Sequence, residues 1–188
     1  MQKLENAIAG LQPISAPASL QTLQPSTPSC CSPQAPAQIN NIQIDSNYPA
    51  DTPWIAGTIK TIVSEINVVK TKLEFSDRLG GCKVRWGMGR MSYIISPGLY
   101  AVGSPSDKSP VFVTANFKLS FDHLRSELTG INGWILVLDT KGINVWCAAG
   151  KGTFGTDELV HRIRETQLEK VISHRRLILP QLGAPGVA

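Results

Sequence analysis

The spacing of apolar and polar positions changes along this chain, and each change marks an element. "VVKTKLEF" (68–75) sets Val69, Thr71, Leu73 and Phe75 against Lys70, Lys72 and Glu74. That period of two predicts a half-buried strand. "MSYIIS" and "VFVT" are short apolar runs bounded by proline or glycine, and predict two more strands. "WILVLD" is apolar without interruption, as in a strand covered on both faces. "SFDHLRSELTG" has a helical period: Ser120 is placed to cap it, Phe121, Leu124 and Leu128 share a face, and Gly130 ends it. "TDELVHRIRETQLEKV" predicts a second helix with Thr156 as N-cap and two acids in its first turn. Leu159, Val160, Ile163, Leu168 and Val171 form its buried stripe. "LILP" predicts a last strand and "SDRLGG" a turn, while "IAGTIKTIVSEI" fits either helix or strand.

Strands alternate with helices from residue 111 onward, which predicts an α/β fold: a Rossmann-like, mainly parallel sheet with flanking helices. Residues 1 to about 50 show no such periodicity. They are rich in proline, serine, glutamine and alanine, and are expected to form a disordered tail that buries too little apolar area to order. The folded domain is expected over 51–188, with regular structure starting near Trp54. Trp54, Trp86 and Trp134 are expected in its core. The ending "LILPQLGAPGVA" reads as a loop, so the chain is expected to be one piece of a longer protein.

Composition narrows the function classes. Hydrophobic residues make up 42% of the 188, enough for a core. The net charge of +4 is modest, and its basic residues do not form a stripe with interleaved aromatics, so nucleic acid is not an expected partner. The four cysteines, Cys30, Cys31, Cys82 and Cys147, give neither a CxxC pair nor a disulfide framework. No apolar run approaches the roughly 20 residues of a membrane span, so the chain as given is expected to be soluble. Cys30, Cys31 and Cys82 read as incidental.

Candidate chemistry concentrates in "NVWCAAGKGTFGT" (144–156). A phosphate-binding P-loop fails there, because Lys151 is followed by Gly152 rather than Ser or Thr, and Val145 holds the earlier glycine position. Gly150, Gly152 and Gly155 have dinucleotide spacing but do not directly follow a first strand. His123, His161 and His174 fall on or beside predicted helices, and no context marks any of them as the partner of a nucleophilic cysteine. Two readings of Cys147 stay open. It is a buried free thiol among small neighbours. Or it is a ligand in the first turn of a short helix running from Asn144 to Gly150, where free N–H groups favour thiolate. Ala148 and Ala149 would let a flat group approach the backbone, and Trp146 would wall the pocket. Ligands in parallel sheets bind at the carboxyl ends of strands. That rule adds Thr114 and Asn116, Asp139 and Lys141, and Gln181 and Gly183.

"INVWCAAGKGTFGT" resembles the cap-helix motif of the corrinoid proteins of microbial mercury methylation, N-[VI]-W-C-A-[AS]-G-K, over the whole of Asn144 to Lys151. "VRWGMGRMSYIISPGLYAVGSP", "SPVFVTANFKLSFDHLR", "WILVLDTKGINVWC" and "HRRLILPQLGAPGVA" resemble the same family in the same order, over roughly 68–188. More distantly the chain is similar to the large subunit of the corrinoid iron–sulfur protein of acetyl-CoA synthesis, which differs at the cap helix. The common B12 signature D-x-H-x-x-G is absent; "FDHLRS" does not fit it.

The resemblance implies a corrinoid-dependent methyltransferase with a cobalamin-type cobalt cofactor and the Cys147 thiolate as lower axial ligand of the cobalt. A methylated folate-dependent donor would supply the methyl group and Hg(II) would receive it. A methyl carrier of one-carbon metabolism is the alternative. The resemblance also implies a ferredoxin-like partner with two [4Fe–4S] clusters. It implies a membrane domain following the corrinoid domain, which would place the full-length protein at the cytoplasmic face of the inner membrane. Asn144, Val145, Trp146, Ala148, Ala149, Gly150, Lys151, Gly152, Thr153 and Gly155 would then face or support the corrin. Thr114, Asn116, Gln181 and Gly183 would reach it from strand ends.

Overall fold

A computed structural model describes residues 53–188. The expected tail and Cys30 and Cys31 lie outside the described residues. Six strands form one sheet in the order β1-β2-β3-β5-β4-β6. They are β1 (Ile55–Lys60), β2 (Glu65–Val69), β3 (Gly98–Val102), β4 (Val111–Ala115), β5 (Gly133–Leu138) and β6 (Leu177–Ile178). The junctions β2–β3, β5–β4 and β4–β6 are parallel; β1–β2 and β3–β5 are antiparallel. The α/β architecture is as expected, and its parallel part lies where strands and helices alternate in sequence.

All six residues of β5 are buried, because helices cover both sides of the sheet. Trp134, Leu136 and Leu138 point to one side, into a cluster with Ala148, Phe154, Leu159, Leu168 and Val171. Ile135 and Val137 point to the other, with Trp54, Tyr100, Phe121 and Leu128. The first side carries α3 (Val145–Gly150), α4 (Thr156–Glu165) and α5 (Leu168–Val171). The second carries α2 (Lys118–Glu127) and, fastened to it, α1 (Phe75–Arg85).

The amino-terminal half departs most from the sequence expectations. The strand expected over 68–75 ends at Val69, and Phe75 opens α1. The Asp77 carboxylate accepts the Glu74 N–H at 3.0 Å and starts the helix there. "SDRLGG" is therefore helix, not turn. Gly80 stands in it because the Tyr93 ring lies against the backbone: a Cβ would come within 2.6 Å of Tyr93 Oη. "MSYIIS" forms a 3-10 turn and one isolated bridge, Ile94 to Phe117, and the strand follows at "GLYAV".

Further on, the corrections are local. α2 begins at Lys118, so Ser120 is inside it and does not cap it. α4 is capped at Gly155 rather than Thr156, and the expected long helix breaks at Gln167, whose φ is +48°. Val160 is exposed because Arg162, paired with Glu158 and Glu165, takes the buried position beside Leu159. Trp54 and Trp134 are in the core, but Trp86 is 82% exposed. "LILP" contributes only the two residues of β6. Among the described residues no helix is long and apolar enough to cross a membrane.

Candidate functional site

The site is built at the carboxyl ends of β4 and β5. β5 stops at Leu138, and residues 139–144 turn back to launch α3. Asn116, just past β4 and buried, organises that turn. Its Oδ1 accepts the N–H groups of Thr140 (3.1 Å) and Gly142 (3.0 Å), and the Thr140 hydroxyl lies 2.9 Å away. Its Nδ2 donates to Asp139 Oδ1 at 3.1 Å. Asn116 was expected to reach a ligand from its strand end; these bonds commit its carbonyl to the loop instead. Lys141 and Gly142 both take positive φ, 58° and 71°, which folds the chain back tightly enough to bring Asn144 over the strand ends.

Charges fix the same turn from the outside. Glu158 of α4 accepts the Asp139 N–H at 2.8 Å, and Arg162 binds Glu158. Burial would push the Asp139 carboxyl up, but the Lys141 ammonium and the Lys141 N–H both donate to it and hold it below the usual carboxylate range. Thr140 is fully buried, with its hydroxyl 2.6 Å from Ile143 O. Sequence reasoning singled out neither Thr140 nor Glu158. A threonine directly after an apolar strand and ahead of a glycine was the available signal.

α3 has two faces. Val145, Ala148 and Ala149 turn inward; Ala148 is fully buried in the core cluster. The carboxyl-terminal loop packs on the same side. A Cβ on Gly183 would come within 2.6 Å of the Phe154 ring and 2.9 Å of Val145 Cγ1; one on Gly186 would lie 3.1 Å from Ala149 Cα. A Cβ on Gly155 would meet Gly152 O at 2.9 Å. These glycines answer to packing behind α3. Thr153 Oγ1 donates to Ala148 O at 3.4 Å and Thr114 is buried in β4, so both belong to the support as well. Gln181 is exposed in the loop.

The outward face carries Trp146, Cys147, Gly150 and Lys151, one helical turn apart in pairs. Trp146 is 69% exposed; Gly150 and Lys151 are exposed and Cys147 is half-buried. Asn144 is the N-cap, as expected: its Oδ1 accepts the Cys147 N–H at 2.9 Å. Of the first-turn N–H groups expected to be free, that of Cys147 is thus taken by the cap. At the other end Gly152, with φ +77°, lets the Lys151 and Gly152 N–H groups close on Cys147 O and Ala149 O. A Cβ added to Gly150 or Gly152 meets nothing within 4 Å. The two glycines on this side thus leave open the approach that the packed ones close. Among the described residues the cysteine has no disulfide partner, and no group of three or more His, Cys, Asp or Glu side chains could hold a bare metal ion.

This surface fits one kind of ligand well. It offers a single soft donor atom on a rigid backbone, a small residue beside it, and an exposed indole whose burial a large partner would supply. A planar macrocycle already holding its metal needs just one axial donor from the protein. Two clefts among the described residues lie elsewhere. One, of about 430 Å³, is beside Trp134 at the amino end of β5; the other, of about 340 Å³, lies between β2 and the loop after α2. Neither includes a residue of α3.

Comparison with known proteins gives the surface its lineage. Curated relatives include the acetyl-CoA decarbonylase/synthase complex subunit gamma of Archaeoglobus fulgidus, 40% identical over 92 residues, which are 48% of this chain and 20% of that protein. The same subunit is 38% identical over 92 residues in Methanopyrus kandleri and 36% over 97 in Methanocaldococcus jannaschii, with 48% and 50% of this chain and again 20% of each protein covered. The matched part is about a fifth of the length of these relatives. A family model for the CO dehydrogenase/acetyl-CoA synthase delta subunit matches residues 90–186, which span β4, β5, the whole of α3 and the loop behind it. The chain belongs to the CO dehydrogenase/acetyl-CoA synthase delta subunit family.

Proposed function

We propose that residues 51–188 form a corrinoid-binding domain for methyl transfer, with the Cys147 thiolate as the lower axial ligand of the cobalt. The observation that carries this reading is the outward face of α3. Cys147 stands half-exposed there, next to a glycine whose missing side chain leaves the approach open. When bound, the corrinoid supplies a cobalt that takes up and gives up a methyl group. The chain's own residues hold and tune it. Asn144 fixes the first turn of α3 through the Cys147 N–H, and Asn116 fixes the loop that sets where α3 starts. Ala148 and Ala149 seat the helix on the core, so the sulfur has a defined position. Trp146 and Lys151, both exposed beside Cys147, would help to hold the bound group, the indole by apolar contact and the ammonium by hydrogen bonding.

The relatives are named as subunits of acetyl-CoA decarbonylase/synthase complexes. They support carriage of a methyl group in one-carbon metabolism as the first reading of the acceptor. A second reading, methylation of Hg(II), rests on Cys147 itself and on the complete motif from Asn144 to Lys151. Hg(II) is an electrophile, so on this reading the bound group would have to supply the methyl as a carbanion or radical equivalent. The Cys147 thiolate, as a strong donor, would favour that mode of release. On this reading a methylated folate donor, a ferredoxin-like partner with two [4Fe–4S] clusters and a membrane segment outside this chain complete the system.

The test is anaerobic. Protein reconstituted with a methylated corrinoid is mixed with Hg(II), and methylmercury is quantified for wild type and Cys147→Ala. Methylmercury formed by wild type at a rate well above free corrinoid, and lost in the variant, supports the second reading. No acceleration by wild-type protein that nevertheless retains the corrinoid supports the first. Equal behaviour of the two proteins removes the thiolate from the mechanism.

A further inference from the structure

α1 is held from beneath and bare above. Its inward side carries Asp77, Gly81 and Val84. Arg125, fully buried, donates to Asp77 and Asp122, and Lys118 bridges the same two carboxylates at 2.8 and 2.7 Å. The opposite side carries Phe75, Leu79, Cys82 and Trp86, spaced i, i+4, i+7 and i+11. At 100° per residue they fall within an arc of about 60° and run for about 16 Å. Phe75 is 80% exposed, Leu79 45% and Trp86 82%; Met88, just beyond, is 54% exposed. Arg78 and Arg85 border the stripe on one side and Lys83 on the other, all exposed. The one acid within α1, Asp77, is buried in its ion pairs, so the charge α1 shows to solvent is wholly positive. An exposed apolar patch of this kind marks an interaction site.

From this stripe we infer that α1 docks the domain onto an anionic lipid surface. Three observations select that occupant. The cations that border the stripe, Arg78 and Arg85 on one side and Lys83 on the other, favour an anionic counterpart. The same three cations oppose a second copy, whose like charges would face them. The face is the convex back of a single helix with its largest aromatics at the ends, the form of a helix that lies in a membrane interface rather than one that accepts a partner in a groove. Phe75, Leu79 and Trp86 would enter the boundary between headgroups and acyl chains, with the arginines and Lys83 at headgroup level. α1 lies on the α2 side of the sheet, so docking there leaves the outward face of α3 free. The residues concerned precede the matched span of 90–186, and the inference does not rest on the proposed chemistry of α3.

The full chain is sedimented with vesicles of one-third phosphatidylglycerol in phosphatidylcholine, and with phosphatidylcholine alone. The expected result is partition to the anionic vesicles that weakens as salt is raised. Phe75→Ser and Trp86→Ser should each lower it about tenfold, and Arg78→Gln and Arg85→Gln about fivefold each. The fluorescence of Trp86 should shift to the blue on binding. The shift should survive Trp146→Phe and vanish with Trp86→Phe. These side chains lie in solvent, so thermal unfolding of the variants should match wild type and show that lost binding is not lost folding. Absence of binding to anionic vesicles, or binding indifferent to Phe75 and Trp86, overturns the inference. So does a stripe-dependent dimer in solution, which assigns the face to a second copy. Binding to polyglutamate without binding to vesicles assigns it to an acidic protein, and equally overturns it.

Discussion

α1 and α3 are both short helices that present an unusual outer face, but they are anchored by opposite means. α1 sits on charge: Asp77, Asp122, Lys118 and Arg125 form a neutral, nearly dry cluster beneath it, and its outer face is apolar. α3 sits on small apolar residues and two asparagines, and its outer face carries a thiol, an indole and a lysine. The contrast teaches how a rigid mount is made for two uses. A helix that must spare its apolar side chains for the outside is tied down by ion pairs. α3 is seated by close packing and by N-cap and loop hydrogen bonds that leave the Cys147 sulfur unengaged.

The largest effect should come from cutting the charged mount. Arg125→Met leaves Asp77 and Asp122 with one cation between them in the interior, and should cost about 3 to 5 kcal/mol in denaturant unfolding. Replacing the mount of α3 should cost less. Asn116→Ala strands the Thr140 and Gly142 N–H groups and should cost about 2 to 3 kcal/mol. Unlike Arg125→Met, it should also weaken corrinoid retention in the folded protein, measured by gel filtration after reconstitution. Asn144→Ala removes only the N-cap bond to the Cys147 N–H and should cost about 1 kcal/mol.

The smallest effect near neutral pH is titration of the clamp. Burial alone would raise the Asp77 carboxyl. Hydrogen bonds from Lys118, the Glu74 N–H and Arg125 outweigh it and hold that group below the usual range. A folded-state value below the unfolded one gives stability that is complete above the ordinary carboxylate range and is lost as pH falls through the folded value. Urea midpoints should therefore stay level from neutrality down to about pH 5 and fall below it. In the same cluster burial, with the charges of Asp122 and Asp77, pushes the Tyr93 hydroxyl up to about 12. Its contribution is complete below the ordinary tyrosine value and declines as pH rises toward 12.

The same contrast explains what could be read from the sequence. α3 was legible because its design is local: Asn144, the small residues and Gly152 lie within nine positions, and each states its role by type. β4 and β5 were legible because continuous apolar runs have few other uses. α1 was not, since the features that make it a helix are distant in sequence. Its inner face is an aspartate, two glycines and a valine, which reads as a turn until Arg125, Lys118, Leu119 and Tyr93 are brought against it. Trp86 was misplaced for the same reason, because exposure of a tryptophan is unexpected unless the helix stripe is known. Asn116 drew attention by its position at a strand end, as a candidate ligand contact, and the structure shows it organising the loop instead. Its bonds to Thr140 and Gly142, 24 and 26 residues on, could not be anticipated.

Whether Cys147 ligates cobalt is tested most directly by an anaerobic reconstitution with cobalamin followed by ultraviolet–visible spectra of the Co(III) state. Wild type and Cys147→Ser are compared. A retained corrinoid whose bands are shifted in wild type and not in the variant is the predicted result. No retained corrinoid, or identical spectra from the two proteins, would contradict it and leave Cys147 a half-buried thiol on the rim of the fold.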